Sequence, residues 1–321
     1  MARTPSPRPA PRRGAGRLPP LRVGTRGSPL ALIQAGVLLR ALRRLGAEAE
    51  VVKVRTRADR FADRPIHELG TGVFVREIDD RVLSGELDAA VHSLKDVPTE
   101  IPEGLAVAAV LPRGPRHDLL LSPGRGGLDG LPLGAGVGTS SVRRRAQLLR
   151  ARPDLEVRPI RGNIETRLKR VETGEYDATV LSAAALERLG TDLAPLSAEP
   201  LDPNLFVPAA GQGAVAVVSR AGSEWCERLV ALNDAAARAE TDLEREVLRG
   251  IGAGCIAPVG VLARRSRAGR LRVAAEVLAA DGSRAASFRG EVASGPAGAR
   301  RVVEALRRQG AEELIDEARK P

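Results

Sequence analysis

The chain has 321 residues, enough for two or three domains of ordinary size. Its 43% hydrophobic content can fill real cores, mostly with Ala, Val and Leu because aromatics are only 2%, and no stretch approaches the ~20 apolar residues of a membrane span. Half of the +10 net charge comes from Arg3, Arg8, Arg12, Arg13 and Arg17, and the rest is spread too thinly, with too few aromatics, for a nucleic-acid binder.

Residues 1–20 are rich in Pro and Arg with no apolar periodicity and read as a disordered tail. The tail lacks the apolar centre of a secretory signal, and its prolines break the amphipathic helix of a transit peptide. Two cysteines, Cys226 and Cys255, and three histidines, His67, His92 and His117, are too few and too scattered for a metal cluster or a disulfide framework. No metal is expected, and a soluble, cytoplasmic monomer with neither membrane nor nucleic-acid partner fits best.

From residue 21 the pattern alternates between strand and helix. Leu21–Thr25 is a short apolar run, Ser28 and Pro29 suit an N-cap and first helical position, and helical spacing over Leu30–Leu45 stops at Gly46. Val51–Val54 follows as a strand. The alternation predicts an α/β fold with helices over parallel or mixed sheets. A repeat lies inside it. Val23-Gly24-Thr25 returns as Val137-Gly138-Thr139, and the nine residues 85–93 match 174–182 at six positions, which suggests two related domains. The Pro- and Gly-dense segment Pro112–Leu131 reads as the hinge between them, and Ala214–Val218 as a strand returning to the first. From Asn233 a charged helix runs to near Gly250. Beyond it, a strand around Leu271–Val277 and a terminal amphipathic helix Arg301–Arg308 complete a smaller α+β domain. The expected division is residues 21–112 with 213–231, 116–207, and 234–321.

In open α/β sheets ligands bind beyond the carboxyl ends of strands. There this sequence places Arg26 and Ser28, then Ser93, Lys95 and Asp96, then Thr139, Ser140 and Ser141 ahead of Arg143, Arg144 and Arg145, with Arg161, Arg167 and Arg188 further on. Hydroxyls at helix starts and planar guanidinium groups both suit carboxylates or phosphates, so several such seats in one crevice imply a ligand with several separated anionic groups. Any single Arg also reads as solvated surface, and Arg145 as solvent-facing. Asp96 reads equally as an Asx turn or as a carboxylate that stabilises a cation and moves protons, and spacing alone does not choose. Cys255 sits among small residues in a Gly-rich loop that leaves its thiol accessible, whereas Cys226 falls beside Trp225 and Leu229 in a core-facing helix.

These residues stand within longer motifs. Residues 25–32 (TRGSPLAL), 91–98 (VHSLKDVP), 138–144 (GTSSVRR), 161–163 (RGN) and 208–214 (PAAGQGA) resemble, in order, the signatures of the hydroxymethylbilane synthase (porphobilinogen deaminase) family. Gly254-Cys255 followed by Pro258-Val259-Gly260 resembles its cofactor-attachment loop. The resemblance implies two periplasmic-binding-protein-like domains of mixed sheet and a smaller α+β C-terminal domain. It also implies a dipyrromethane cofactor held by a thioether to Cys255, four porphobilinogen molecules added in turn with loss of ammonia, and release of a linear tetrapyrrole. By the same match Asp96 is the catalytic carboxylate. Ser28, Lys95, Thr139, Ser141, Arg143, Arg144, Arg161 and Arg188 bind cofactor, and Arg26, Phe74, Arg161, Arg167 and Gln212 bind substrate. The chain departs from the pattern at Ala58, His67 and Thr71, where Gly, Lys and Lys are common, which puts a contact or two of the 56–72 loop in doubt. The rival reading is a two-domain receptor for a small anion without catalysis, which leaves the thiol and third domain unexplained.

Overall fold

The computed structural model describes residues 19–60, 72–124, 126–253 and 257–319. The tail before residue 19, His67, Thr71 and Cys255 lie outside the described residues, as does the side chain of Ala58. In chain order the elements are β1 (Leu21–Arg26), α1 (Pro29–Arg44), β2 (Ala49–Val54), α2 (Arg57–Arg60), α3 (Arg76–Leu83), β3 (Ala89–Ser93) and β4 (Leu105–Val110). The chain then builds β5 (Asp118–Ser122), β6 (Gly136–Gly138), α4 (Val142–Ala151), β7 (Glu156–Arg158), α5 (Ile164–Glu172), β8 (Ala178–Ser182), α6 (Ala183–Leu189) and β9 (Ser197–Pro200). It returns as β10 (Val215–Arg220) and α7 (Glu224–Leu229), and continues into α8 (Ala235–Gly250), β11 (Val259–Arg265), β12 (Leu271–Leu278), β13 (Ala285–Val292), α9 (Pro296–Arg307) and α10 (Ala311–Arg319).

Two five-stranded sheets result, ordered β2-β1-β3-β10-β4 and β7-β6-β8-β5-β9, beside a three-stranded sheet β11-β12-β13. The first two share one topology. In each, the opening strand pairs in parallel with two neighbours, and one antiparallel strand from the crossover inserts next to the edge. The sequence repeat falls on equivalent register. Val23 and Gly24 oppose Ala89 and Ala90, as Val137 and Gly138 oppose Ala178 and Thr179. Asp88 accepts from the Arg22 N–H at 2.9 Å and Asp177 from the Gly136 N–H at 2.7 Å, so each copy closes its first strand pair with the same carboxylate. Both glycines are required by close packing. A Cβ on Gly24 would lie 2.5 Å from Leu87, and one on Gly138 would lie 3.0 Å from Ile160 and Tyr176.

Local chemistry explains the helix starts. Ser28, Ser141, Asn163 and Asp234 each accept the N–H three residues on, and Pro29 takes the first helical position of α1. The segment read as a hinge over Pro112–Leu131 is shorter than expected. Residues 112–117 make the crossing, and Asp118-Leu-Leu-Leu-Ser already forms β5, a brief apolar strand obscured by Pro and Gly on both sides. The crossing is tight: Gly114 N–H donates to Gly213 O at 3.0 Å, and a Cβ on Gly213 (φ +85°) would sit 2.6 Å from Pro115 O.

The third sheet is antiparallel and packs its apolar face on α8, α9 and α10, around Leu243, Val247, Val261, Val273, Leu306 and Leu314. One terminal helix was expected and two are present, because Gly310 (φ +84°) breaks the run between α9 and α10. Buried glutamates fasten this unit to the rest. Glu244 on α8 accepts from Arg113 at 2.8 and 3.0 Å, from Gly211 N–H and from Ala263 N–H, while Glu240 accepts from Arg116. Among the described residues no helix is long and apolar enough to cross a membrane. Cys226 is buried in the first sheet's core, as its helical neighbours suggest.

Candidate active site

The carboxyl ends of β1 and β3 open on a crevice lined by Arg26, Ser28, Gln34, Phe74, Ser93 and Asp96. A second, smaller space shares Leu30, Gln34 and Ser93 with the first and adds Lys95 and Arg188. Residues far apart in sequence are thus brought together at the junction of the two five-stranded sheets. Asp96 ends a 3-10 turn, Leu94–Asp96, directly after β3, and is partly exposed in the crevice. Its loop is held on both sides: Leu94 N–H donates to Ala214 O at 3.0 Å, and Arg245 on α8 donates to Val97 O at 2.8 Å and Pro98 O at 2.6 Å.

Across the junction the cations fall into two kinds. Arg143 and Arg144, expected as open guanidinium groups, are buried and largely consumed. Arg143 donates to Asp118 Oδ2 at 2.9 Å, to Gln147 and to Val207 O. Arg144 grips Asp118 through Nε at 3.1 Å and Nη2 at 2.7 Å and gives Nη1 to Val180 O. Asp118 is fully enclosed by these partners, and the two guanidinium groups hold its carboxyl far below the usual range despite its burial. Gln212, also fully buried, donates to Asp118 Oδ1 and Arg116 O, both at 2.8 Å, and accepts from Lys95 Nζ at 3.5 Å. It therefore serves as a bridge within the protein. Arg145 donates to Val157 O and does not join the group.

The remaining cations are less satisfied. Arg167 gives one N–H to Gly162 O at 3.0 Å, and burial together with the neighbouring charges of Arg144 and Arg161 pulls it down to about 10. Lys95 is exposed along its length, yet protein crowds its ammonium. That desolvation, reinforced by Arg144, outweighs Asp96 and Asp118 and brings it down to about 8. Arg188 donates to Gly213 O at 2.6 Å, beside the crossing. Arg26 is bound side-on by Asp59 and stacks on Phe74, its guanidinium carbon 4.8 Å from the ring centre. Of the predicted hydroxyl seats, Ser28 and Ser141 accept from their own helices, and Thr139 accepts from Ser141 N–H at 3.2 Å.

Desolvation first, and neighbouring positive charge second, lower Lys95 and Arg167, and a bound anion would offset both. Lys95 is charged below pH about 8 and loses its hold on an anion as pH rises through that value. A titration of dimethylated lysines by NMR is expected to show Lys95 with a midpoint near 8; a midpoint near the ordinary 10.5 would mean that the site is solvated. The sequence reading missed Asp118, Asp59, Gln147 and the α8 residues Glu240, Glu244 and Arg245. Asp118 alone left a trace, a lone carboxylate opening the apolar run Leu119-Leu120-Leu121.

A duplicated α/β scaffold that gathers lysine and arginine at its strand ends, with a third unit fastened to the crossing, defines an anion-gripping protein for a multiply charged small ligand. The sequence comparisons make this specific. The porphobilinogen deaminase dipyrromethane cofactor binding domain matches residues 21–228, and the C-terminal domain of the same family matches 239–311. A probable porphobilinogen deaminase of Methanocella arvoryzae is 45% identical over 303 residues, covering 94% of this chain and 99% of that one. The porphobilinogen deaminase of Rubrobacter xylanophilus is 49% identical over 243 residues, covering 75% and 79%. The chain belongs to the porphobilinogen deaminase family.

Proposed function

We propose that the protein is a transferase that condenses four porphobilinogen molecules stepwise, with loss of ammonia, and releases hydroxymethylbilane for tetrapyrrole biosynthesis. The observation that carries the reading is the gathering of Arg26, Lys95 and Arg188 along two contiguous spaces that also hold Asp96, a set of cations suited to a chain of pyrroles bearing acetate and propionate groups. The same cations suit a dipyrromethane, itself a polycarboxylate. When bound, it supplies the nucleophilic pyrrole carbon to which each new unit is joined.

The chain's own residues then divide the work. Cys255 carries the dipyrromethane as a thioether. Ser28, Lys95, Thr139, Ser141, Arg161 and Arg188 face its carboxylates or shape their seats, and Arg26, Phe74 and Arg167 hold the incoming substrate. Arg143 and Arg144 bind carboxylates of the dipyrromethane and Gln212 binds substrate, each from a position fixed by its bond to Asp118. Asp96 places a carboxylate where a pyrrole nitrogen gains positive charge and gives or takes protons there. A receptor for anions would not need the clamp that Arg245 sets on the Asp96 loop. Action as a cytoplasmic monomer completes the reading, in keeping with a buried thiol at Cys226.

Intact mass is the direct test. The purified wild type is expected to exceed its chain mass by a linked dipyrrole, and Cys255→Ser to lose the excess. A wild type without adduct, and without colour with an aldehyde reagent for pyrroles, would refute the reading.

A further inference from the structure

The Arg26 guanidinium is not free to swing. Asp59 engages it side-on, with Nε 3.2 and 3.3 Å from the two carboxylate oxygens and Nη2 also bonded to Oδ1. Asp59 is itself anchored, accepting from Thr56 N–H at 3.1 Å and from Thr56 Oγ1 at 2.8 Å, so the carboxylate is a fixed point on the short helix α2 that follows β2. Phe74, from another part of the chain, covers one face of the guanidinium at 4.8 Å. One edge and one face are therefore occupied. Nη1 has no hydrogen-bond partner among the described residues, and Arg26 remains about a quarter exposed (27%) in the crevice that also holds Asp96.

From this geometry we infer that Asp59 is a positioning residue for substrate. It locks Arg26 so that the Nη1 edge is presented, already oriented, to a carboxylate of the incoming pyrrole. The inference rests on the proposed function and on Arg26 as a substrate ligand. The physical reason is preorganisation. A free arginine loses rotamer entropy when it binds, whereas one held by a charge-assisted pair and a ring has already lost it. The arrangement is also matched in charge: the carboxylate neutralises the cation only in part because Nη1 points elsewhere, and it polarises the N–H groups that remain.

The competing possibility is that Asp59 occupies the substrate's own seat and must leave before binding. The two differ in sign. Asp59→Asn in the cofactor-loaded enzyme is expected to raise KM for porphobilinogen about tenfold, the worth of one well-placed charge-assisted hydrogen bond, with kcat within about twofold. Asp59→Glu, which keeps the charge, should recover most of that loss. In an Arg26→Gln background the Asp59→Asn change should move KM by less than about twofold, because there is no longer a guanidinium to place. Adduct mass and melting temperature of each variant establish that it is folded and loaded. A KM that stays or falls in Asp59→Asn overturns the inference in favour of a competing occupant. An equal rise in the Arg26→Gln background overturns it too, because Asp59 would then act elsewhere. If Arg26→Gln itself keeps the wild-type KM, the substrate role of Arg26 falls and this inference with it, while adduct and turnover leave the proposed function standing.

Discussion

Asp96→Ala is expected to lose turnover by a factor of about 10²–10⁴ while the protein keeps its dipyrrole mass and its fold. The size follows from where Asp96 stands. It closes a short turn at the end of β3 in the open crevice, and its loop is gripped from α8 by Arg245 and from the returning chain by Ala214 O, so the backbone that carries its carboxylate is held in place before substrate arrives. A fixed negative charge beside a nitrogen that becomes positive lowers the barrier without reorganising. Asp96→Asn separates charge from shape. It keeps the volume and a hydrogen-bonding oxygen, and should be almost as inactive as alanine. Porphobilinogen consumption by adduct-bearing protein is the measurement, and turnover within tenfold of wild type in either variant would remove Asp96 from the chemistry.

Asp118→Ala is expected to be the most destabilising substitution at the site, by about 3–5 kcal/mol. Three buried groups depend on this carboxylate: Arg143, Arg144 and Gln212. Removing it leaves two enclosed guanidinium groups facing each other without their bonded carboxylate and with only Glu276 nearby as counter-charge, which is far worse than never having buried them. The apparent melting temperature should fall by on the order of 5–10 °C. Asp118→Asn, which keeps some hydrogen bonds, should fall between. The pH dependence has a definite sign. The folded-state pKa of Asp118 is lowered from 3.8, so its stabilisation is present above that value and is lost as pH falls below it. The gap between wild type and Asp118→Asn should therefore be widest near neutral pH and narrow in acid. Equal melting temperatures at pH 7 would mean that the two arginines find other partners.

The two arginines also show where reading residues in order stops. Placed after a strand and opening a helix, Arg143 and Arg144 read as ligands for a cofactor carboxylate, and within the protein both also hold a carboxylate that the sequence does not reveal. It belongs to Asp118, 25 and 26 residues earlier and beside them only because β5 inserts antiparallel next to β8. Arg26 is similar, since Asp59 reaches it from α2 and Phe74 from the turn just before α3. Lys95 and Arg167 gave no hint in sequence of their lowered affinity for protons, because that property sums burial and charges contributed by several elements.

What the sequence determined by itself was everything carried by short range: helix starts at Ser28 and Ser141, the alternation of strand and helix, the duplicated glycine and aspartate positions of the two sheets, and the contiguous motifs that tie the chain to its family. Each depends on neighbours within a few residues or on one strand pair. The tertiary structure alone decided that Asp118 pairs with Arg143 and Arg144, that Glu240, Glu244 and Arg245 bind the third unit to the crossing and to the Asp96 loop, and that β5 begins inside the apparent hinge. Charge and desolvation act through space over several ångströms, so their balance at a site is set by packing between elements that sequence separation conceals.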